Sequence, residues 1–223
     1  MKSYIDELDR NIFNFVEYEG YDDRYPSLSM QAFSSDFYDE IRHASRRLFQ
    51  IFCKAAKVFQ MAPDDFARNM DMPDNLIPYL HKSNALGLPT WLSRFDFVLD
   101  VNGNLQMVEL NADTPCFLIE SYYANEVAAN YVGRKHPNIE CRNELHTFLK
   151  RMYDAVLSAK YGRDVYESMI ANGGCPSKEA FVFSCFHDYF EDYGTTQFLM
   201  KELKTACPEA DTRFISFYEI GRA

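Results

Sequence analysis

The sequence predicts an α/β fold with a helix-rich N-terminal part, an antiparallel hairpin at 94–111 and a βαβ unit at 180–218. Three patterns carry this reading. Apolar residues recur at helical spacing through much of the first 86 residues. Two alternating runs flank Asn102-Gly103, a strong signal for a tight hairpin turn. Two continuous apolar runs, AFVFSCF (180–186) and TRFISFY (212–218), bracket a helical segment from about 194 to 206, as in parallel strands joined by a crossover helix.

Each element has a local cause. Residues 4 to about 16 have helical spacing and run into a polar turn, EGYDDRYPSLS. Ser34 or Ser35 caps a long helix whose apolar face is Phe37, Ile41, Leu48, Phe52, Ala55 and Phe59, and Asp36 suits its first turn. Pro63 falls just inside a short helix, and PDNLIPYLHKS gives another that Pro78 breaks. After the hairpin, Pro115 opens a helix that ends at Gly133, with Asp113 or Thr114 as its N-cap. A further helix spans 143–161, with Leu145, Leu149, Met152, Val156 and Leu157 on one side and Gly162 at its end. A loop containing Gly173-Gly174 and Pro176 leads to two strands expected to be buried on both faces. At 223 residues, one domain over 1–223 is expected, subdividing if at all into 1–162 and 176–223.

Composition excludes several functions. The net charge is −10 and no basic stripe is present, whereas nucleic-acid binding needs clustered Lys and Arg to neutralise phosphates. No apolar run approaches the ~20 residues of a membrane span, so no membrane partner is expected. The N-terminal stretch MKSYIDELDRNIFNF is charged and lacks the apolar core of a signal peptide. Six cysteines, at 53, 116, 141, 175, 185 and 207, form neither a C-x-x-C pair nor a zinc-like cluster with His. Reduced thiols and a cytoplasmic location are therefore expected.

The hairpin is unusual in its charges. A two-residue turn makes paired residue numbers sum to 205, which sets Asp96 opposite Glu109 and Arg94 opposite Asn111. Alternation then places Arg94, Asp96, Val98, Met107, Glu109 and Asn111 on one face, and Phe95, Phe97, Leu99, Val108 and Leu110 on the other. A three-residue loop would shift the pairing by one and mix the faces, so the even register is expected. Opposed carboxylates about 5 Å apart repel unless something neutralises them. Arg94 is one candidate. A hard cation is another, since Mg²⁺ prefers one or two carboxylates and completes its shell with substrate phosphates; Asn111 adds a carbonyl ligand. Geometry alone is equally compatible with a solvated face on which the carboxylates splay apart.

The pattern RFDF, a short turn, then VELNADTP and a helix containing Glu120-Ser121 resembles the glutathionylspermidine synthase family of ATP-grasp ligases. FHDYFEDYGTTQFL (186–199) is similar to that family's acidic segment after a strand, and FISFYEIG (214–221) to a later strand end. The resemblance implies a pre-ATP-grasp, partly ATP-grasp-like architecture. It also implies a ligase that activates a glutathione-like carboxylate with ATP as an acyl phosphate, which a spermidine-like amine then attacks. On this resemblance Asp96, Glu109 and Asn111 bind Mg²⁺ bridging nucleotide phosphates, and Arg94 steadies the transferring phosphoryl group. Glu191, Asp192 and Thr195 match a segment implied to contact the peptide or amine substrate. Cys116 and Phe117 replace two small residues of the family pattern, and Ser93 replaces a Gly. The family's nucleotide-gripping lysines and Gly-rich loop have no counterpart here and are expected beyond Ala223. The alternative is a non-catalytic binding or interaction module that lacks the nucleotide grip.

Other residues have plainer readings. Cys116 is read as a small apolar residue rather than a nucleophile. His187-Asp188 follows a strand end, where α/β sites gather. His43 and His81 are read as surface or partner-bonded, and Asp100 as a turn residue. His136 and His146 fit no pattern. Gly173-Gly174 lacks the G-K-[ST] of a phosphate-binding loop.

Overall fold

The computed structural model describes residues 3–17, 25–86, 90, 92–112, 116–136, 138–173 and 180–221. Contacts divide the chain into two units, Met30–Pro115 on one hand and Met1–Ser29 with Cys116–Ala223 on the other, and the loop after Gly162 lies inside the latter. The expected caps Asp113 and Thr114, the opening Pro115, the loop residues Gly174 and Pro176, Cys175 and most of the turn after residue 17 lie outside the described residues.

The middle unit begins with α1 (Ser35–Met61), and Ser34 caps it by accepting from the Phe37 amide at 3.1 Å. The expected apolar face is there, but no side chain of α1 is fully buried. The short α2 (Asp64–Asn69) and α3 (Ile77–Leu86) follow. Pro78 does not break α3. It occupies the first turn, where its missing N–H has no helical acceptor to lose. His81 ties α3 back, with Nδ1 2.9 Å from the Gln60 carbonyl and Nε2 2.9 Å from Asp64. The antiparallel hairpin β1 (Ser93–Leu99) and β2 (Leu105–Ala112) completes the unit. Phe52 of α1 meets Phe95 of β1 with ring centres 5.9 Å apart.

The other unit holds the larger core. Its N-terminal segment is helical only as one 3₁₀ turn, Tyr4–Glu7, closed by a capping box between Ser3 and Asp6. Asp9 stops the helix: its carboxylate accepts from the Asn11 amide at 2.9 Å, a local turn that competes with helical bonding. Phe13, Phe15 and Val16 still reach the core. The helix after Cys116 contains a π-helical turn, Glu120–Ala124, before α4 (Asn125–Tyr131). Next come α5 (Ile139–Tyr161) and α6 (Arg163–Ala171), the latter standing where a loop was expected. Leu145, Leu149, Tyr153 and Leu157 are the buried row of α5, while Val156 faces water.

The βαβ unit forms as β3 (Ala180–Phe183), α7 (Phe190–Ala206) and β4 (Asp211–Phe214), with the strands parallel. Both strands are shorter than expected. Val182 is half exposed, so β3 is not buried on both faces; among the described residues this sheet has only two strands. Gly194 lets α7 pack tightly, because a Cβ there would sit 2.6 Å from Asn14 Oδ1 and 3.0 Å from Phe15 Cε1.

A buried ionic cluster joins the helices of this unit. Glu202 of α7, 1% exposed, accepts from Arg142 Nη2 at 2.8 Å and Nε at 3.3 Å and also bonds His146; Arg142 reaches Glu126 of α4 at 3.2 Å. Burial pushes the Glu202 carboxyl up, but the bonds from Arg142 and His146 outweigh it and hold it below its ordinary 4.5. Arg142→Met leaves a buried charge short of its main partner and should cost about 3 kcal/mol in urea denaturation at pH 7. The Glu202 contribution is complete above pH 4.5 and is lost as pH falls through the lower folded value, so the gap between variant and wild type should narrow in acid.

Candidate functional site

The hairpin turn is not the expected two-residue loop. The Asp100 amide donates to the Asn104 carbonyl at 2.9 Å and the Gly103 amide to the Asp100 carbonyl at 2.9 Å, closing a three-residue loop with Gly103 at φ +82°. Asp100 builds this loop as a turn residue: Oδ1 accepts from the amides of Asn102 and Asn104, both at 2.8 Å, and these bonds, with that from the Asn104 side chain, hold its carboxyl below the usual range. The odd loop shifts the pairing, so Leu99 faces Leu105, Val98 faces Gln106 and Phe97 faces Met107.

A β-bulge then removes the shift. Between Asp96 and Phe97 the register slips by one, leaving Val108 without a cross-strand partner, and beyond it Asp96 faces Glu109, Phe95 faces Leu110 and Arg94 faces Asn111. The four polar residues therefore meet as the sequence predicts, by a different route. The face assignment needs correction at two places. Met107 pairs with Phe97 on the apolar side, and Val108, 61% exposed, stands beside Glu109 on the polar side.

These residues form one network. Arg94 grips Asp96 with two bonds, Nε to Oδ1 at 2.7 Å and Nη2 to Oδ2 at 3.0 Å. With its amide oxygen turned toward Arg94, Asn111 accepts from Nη2 at 3.1 Å and donates to Glu109 Oε1 at 3.1 Å. The opposite orientation leaves the Asn111 nitrogen only a 3.5 Å contact with Asp96, so the first satisfies the network better. The Arg94 bond holds the Asp96 carboxyl below its usual range.

The donor set suits one kind of cation. Two carboxylates share one half-open strand face with Asn111, whose amide oxygen accepts from Arg94, but no group of three or more His, Cys, Asp or Glu among the described residues is placed to hold a metal. A cage made by protein alone is thus not present there. An ion that arrives with phosphate ligands and needs only one or two carboxylates fits the face.

Glu191, Asp192 and Thr195 lie in the other unit, on the first turns of α7. The positive end of the helix dipole favours the two carboxylates, and Thr195 is buried. Cys116 donates its thiol hydrogen to Asp192 Oδ1 over 3.7 Å. Sequence reasoning missed the partners of His187: its Nδ1 lies 2.8 Å from the hydroxyl of buried Ser216, and Tyr218 donates to Asp188 at 2.9 Å. The signal was available, since both FHDYF and SFYEI directly follow strands. The five described cysteines outside position 175 are free thiols. No helix among the described residues is long and apolar enough to cross a membrane.

Comparison with known proteins gives a family match. The profile described as glutathionylspermidine synthase preATP-grasp matches residues 4–223, nearly the whole chain. No curated protein matches the chain. Whatever the chemistry of this family, the Arg94–Asp96 bond can be tested on its own. In Arg94→Gln the Asp96 carboxyl should rise from its depressed position to or above 3.8, because Glu109 then faces it without the guanidinium. A carbon-detected NMR titration of the Asp96 carboxyl measures this directly.

Proposed function

The chain belongs to the glutathionylspermidine synthase pre-ATP-grasp family, and we propose that it supplies the magnesium- and phosphate-handling hairpin of a cytoplasmic ATP-dependent ligase. The ligase joins a glutathione-like peptide carboxylate to a spermidine-like amine. The carboxylate takes the terminal phosphoryl group of ATP, releasing ADP; the neutral amine then attacks the acyl carbon and phosphate leaves. The observation that carries this reading is the cross-strand network of Arg94, Asp96, Glu109 and Asn111 on one open strand face.

Each residue has a definable part. Asp96 and Glu109 would hold Mg²⁺ with the Asn111 carbonyl beside them, and the bound ion would supply charge neutralisation for the nucleotide phosphates. Arg94 presents a planar guanidinium, suited to gripping a phosphoryl or acyl-phosphate group through two bonds at once. Glu191 and Asp192, two carboxylates at one helix start, suit a cationic amine, and Thr195 sits one turn beyond them.

A second reading has its own support. Arg94 already neutralises Asp96 without any ion, which suits a binding module that keeps the fold without the chemistry. The two readings separate in one assay. The longest natural form of the protein, given Mg-ATP, glutathione and spermidine, should release ADP, and Asp96→Ala should lower that rate by about 10²-fold or more, the scale of losing one positioned electrostatic group. Absence of ADP release from the wild type, or an Asp96→Ala rate within twofold of it, sinks the ligase reading and leaves the binding module.

A further inference from the structure

We infer that the cavity between the N-terminal segment, the last turns of α7 and the start of β4 is a binding site for a small organic carboxylate with an apolar body. The cavity has a volume of about 380 Å³. Pockets that enclose small molecules run from roughly 300 to 1,000 Å³. All of its described lining belongs to one unit. It also lies away from the segment Glu191–Thr195, since α7 rises about 18 Å between Asp192 and Lys204.

Helical spacing builds the polar wall. Gln197, Lys201 and Lys204 follow one another at four and three residues, so their side chains share one face of α7. Thr212 adds a hydroxyl from β4. The floor is apolar: Phe198, 3% exposed, lies there with the half-buried Ile12 and Met200.

The charge of the lining runs against the rest of the chain. Asp and Glu outnumber Lys and Arg by 33 to 23, yet two lysines and no carboxylate line this cavity among the described residues. Lys204 is held in place, because its Nζ donates to the Ala210 carbonyl at 2.7 Å, and it keeps two further N–H donors for a ligand. Asp9 stands near the rim residue Asn11, but its carboxylate is taken up by the Asn11 backbone and side-chain amides, both at 2.9 Å. The negative end of the α7 dipole, about half a charge, opposes an anion here and is outweighed by two full ammonium charges.

These two surfaces together select the ligand. A cation would meet two ammonium groups. An inorganic anion would leave the apolar floor in water, and a neutral apolar molecule would leave the lysines unused. A carboxylate carried on an aromatic or branched body satisfies both, with its charge on Lys201 and Lys204 and its body on Phe198. The site rests on neither reading of the hairpin and needs no nucleotide or metal.

The test is a proton–nitrogen NMR titration of the intact chain with phenylacetate. The amide signals of Lys201, Lys204, Thr205 and Thr212 should move saturably. Inorganic phosphate, and glutathione, whose carboxylates carry no apolar body, should bind there at least about tenfold more weakly, as burial of one ring is worth. Neutral phenylacetamide should bind about fivefold more weakly, the upper end for an exposed ion pair. Lys201→Gln, at an exposed position, should weaken phenylacetate by the same factor, and Lys201→Arg should restore it. Lys54→Gln, in the other unit, should change nothing, and circular dichroism should show all variants folded. Absence of saturable shifts, shifts confined to Glu191–Thr195, equal binding of phenylacetamide, phosphate or glutathione, equal binding by Lys201→Gln and wild type, or loss of binding in Lys54→Gln overturns the site.

Discussion

Two one-residue errors of register cancel in the hairpin, and the polar network depends on that cancellation. The three-residue loop at Asp100–Asn104 carries the pairing out of step, and Val108 brings it back. Had the loop acted alone, Asp96 would face Val108, Phe95 would face Glu109 and Arg94 would face Leu110. Because side chains alternate, that register drives carboxylates among aromatic rings on one face and apolar residues into water on the other. The energetic contrast between the two arrangements is large compared with the local disruption of one bulge, so the bulge is the cheaper deformation. Its position is not arbitrary either. It lies next to the Asp96–Glu109 pair and re-aims the side chains beside it.

The two units achieve order by different means. In the middle unit only Ala67 and Ile77 are buried among the described residues, so its elements are held by half-buried contacts such as Phe52 against Phe95 and by polar ties such as His81 to Gln60 and Asp64. A thin core of this kind leaves the Arg94–Asp96 face supported from one side and open on the other. The second unit has a dense apolar core and sets within it a fully buried glutamate. Glu202 is tolerated because Arg142 and His146 both bond it, and a charge pair with only one good partner would not offset the desolvation. The cluster fixes α7 relative to α4 and α5, and α7 in turn carries Glu191, Asp192 and Thr195.

Much of this was legible in the sequence, for reasons that differ by residue. The pairs Asp96–Glu109 and Arg94–Asn111 followed from alternation, which constrains every residue of a strand at once. The βαβ unit followed from two apolar runs at crossover spacing, and α1 from a serine cap and a long helical stripe. The loop length and the bulge were hidden because each shifts the pattern by one and their effects subtract. The early helix failed at Asp9, whose side chain competes with the backbone for a nearby amide, an effect invisible to apolar periodicity. The short α6 was missed because its stripe is brief and a glycine precedes it. Glu202 could not be recognised as buried, since its partners are 56 and 60 residues away. The polar pairing in the hairpin was legible because it is local; the aromatic edge after β3 and β4 was not, because strand pairing alone brings 186 to 217 and 218.

The charge state of the hairpin explains why its arginine and its carboxylates belong together. Arg94, Asp96, Glu109 and neutral Asn111 carry one net negative charge when all are in their ordinary forms. Under the proposed function that charge would favour a divalent cation, while Arg94 by itself keeps Asp96 and Glu109 from driving each other apart. A divalent cation held there would bring the face to net positive, which would suit a polyphosphate. The guanidinium would then gain less from Asp96 and more from a phosphoryl oxygen. On the proposed reading one arginine would serve both the stability of the hairpin and the phosphoryl chemistry. A lysine could not do both equally, because the bidentate grip on Asp96 at 2.7 and 3.0 Å and the planar grip on a phosphoryl group both use the guanidinium fork.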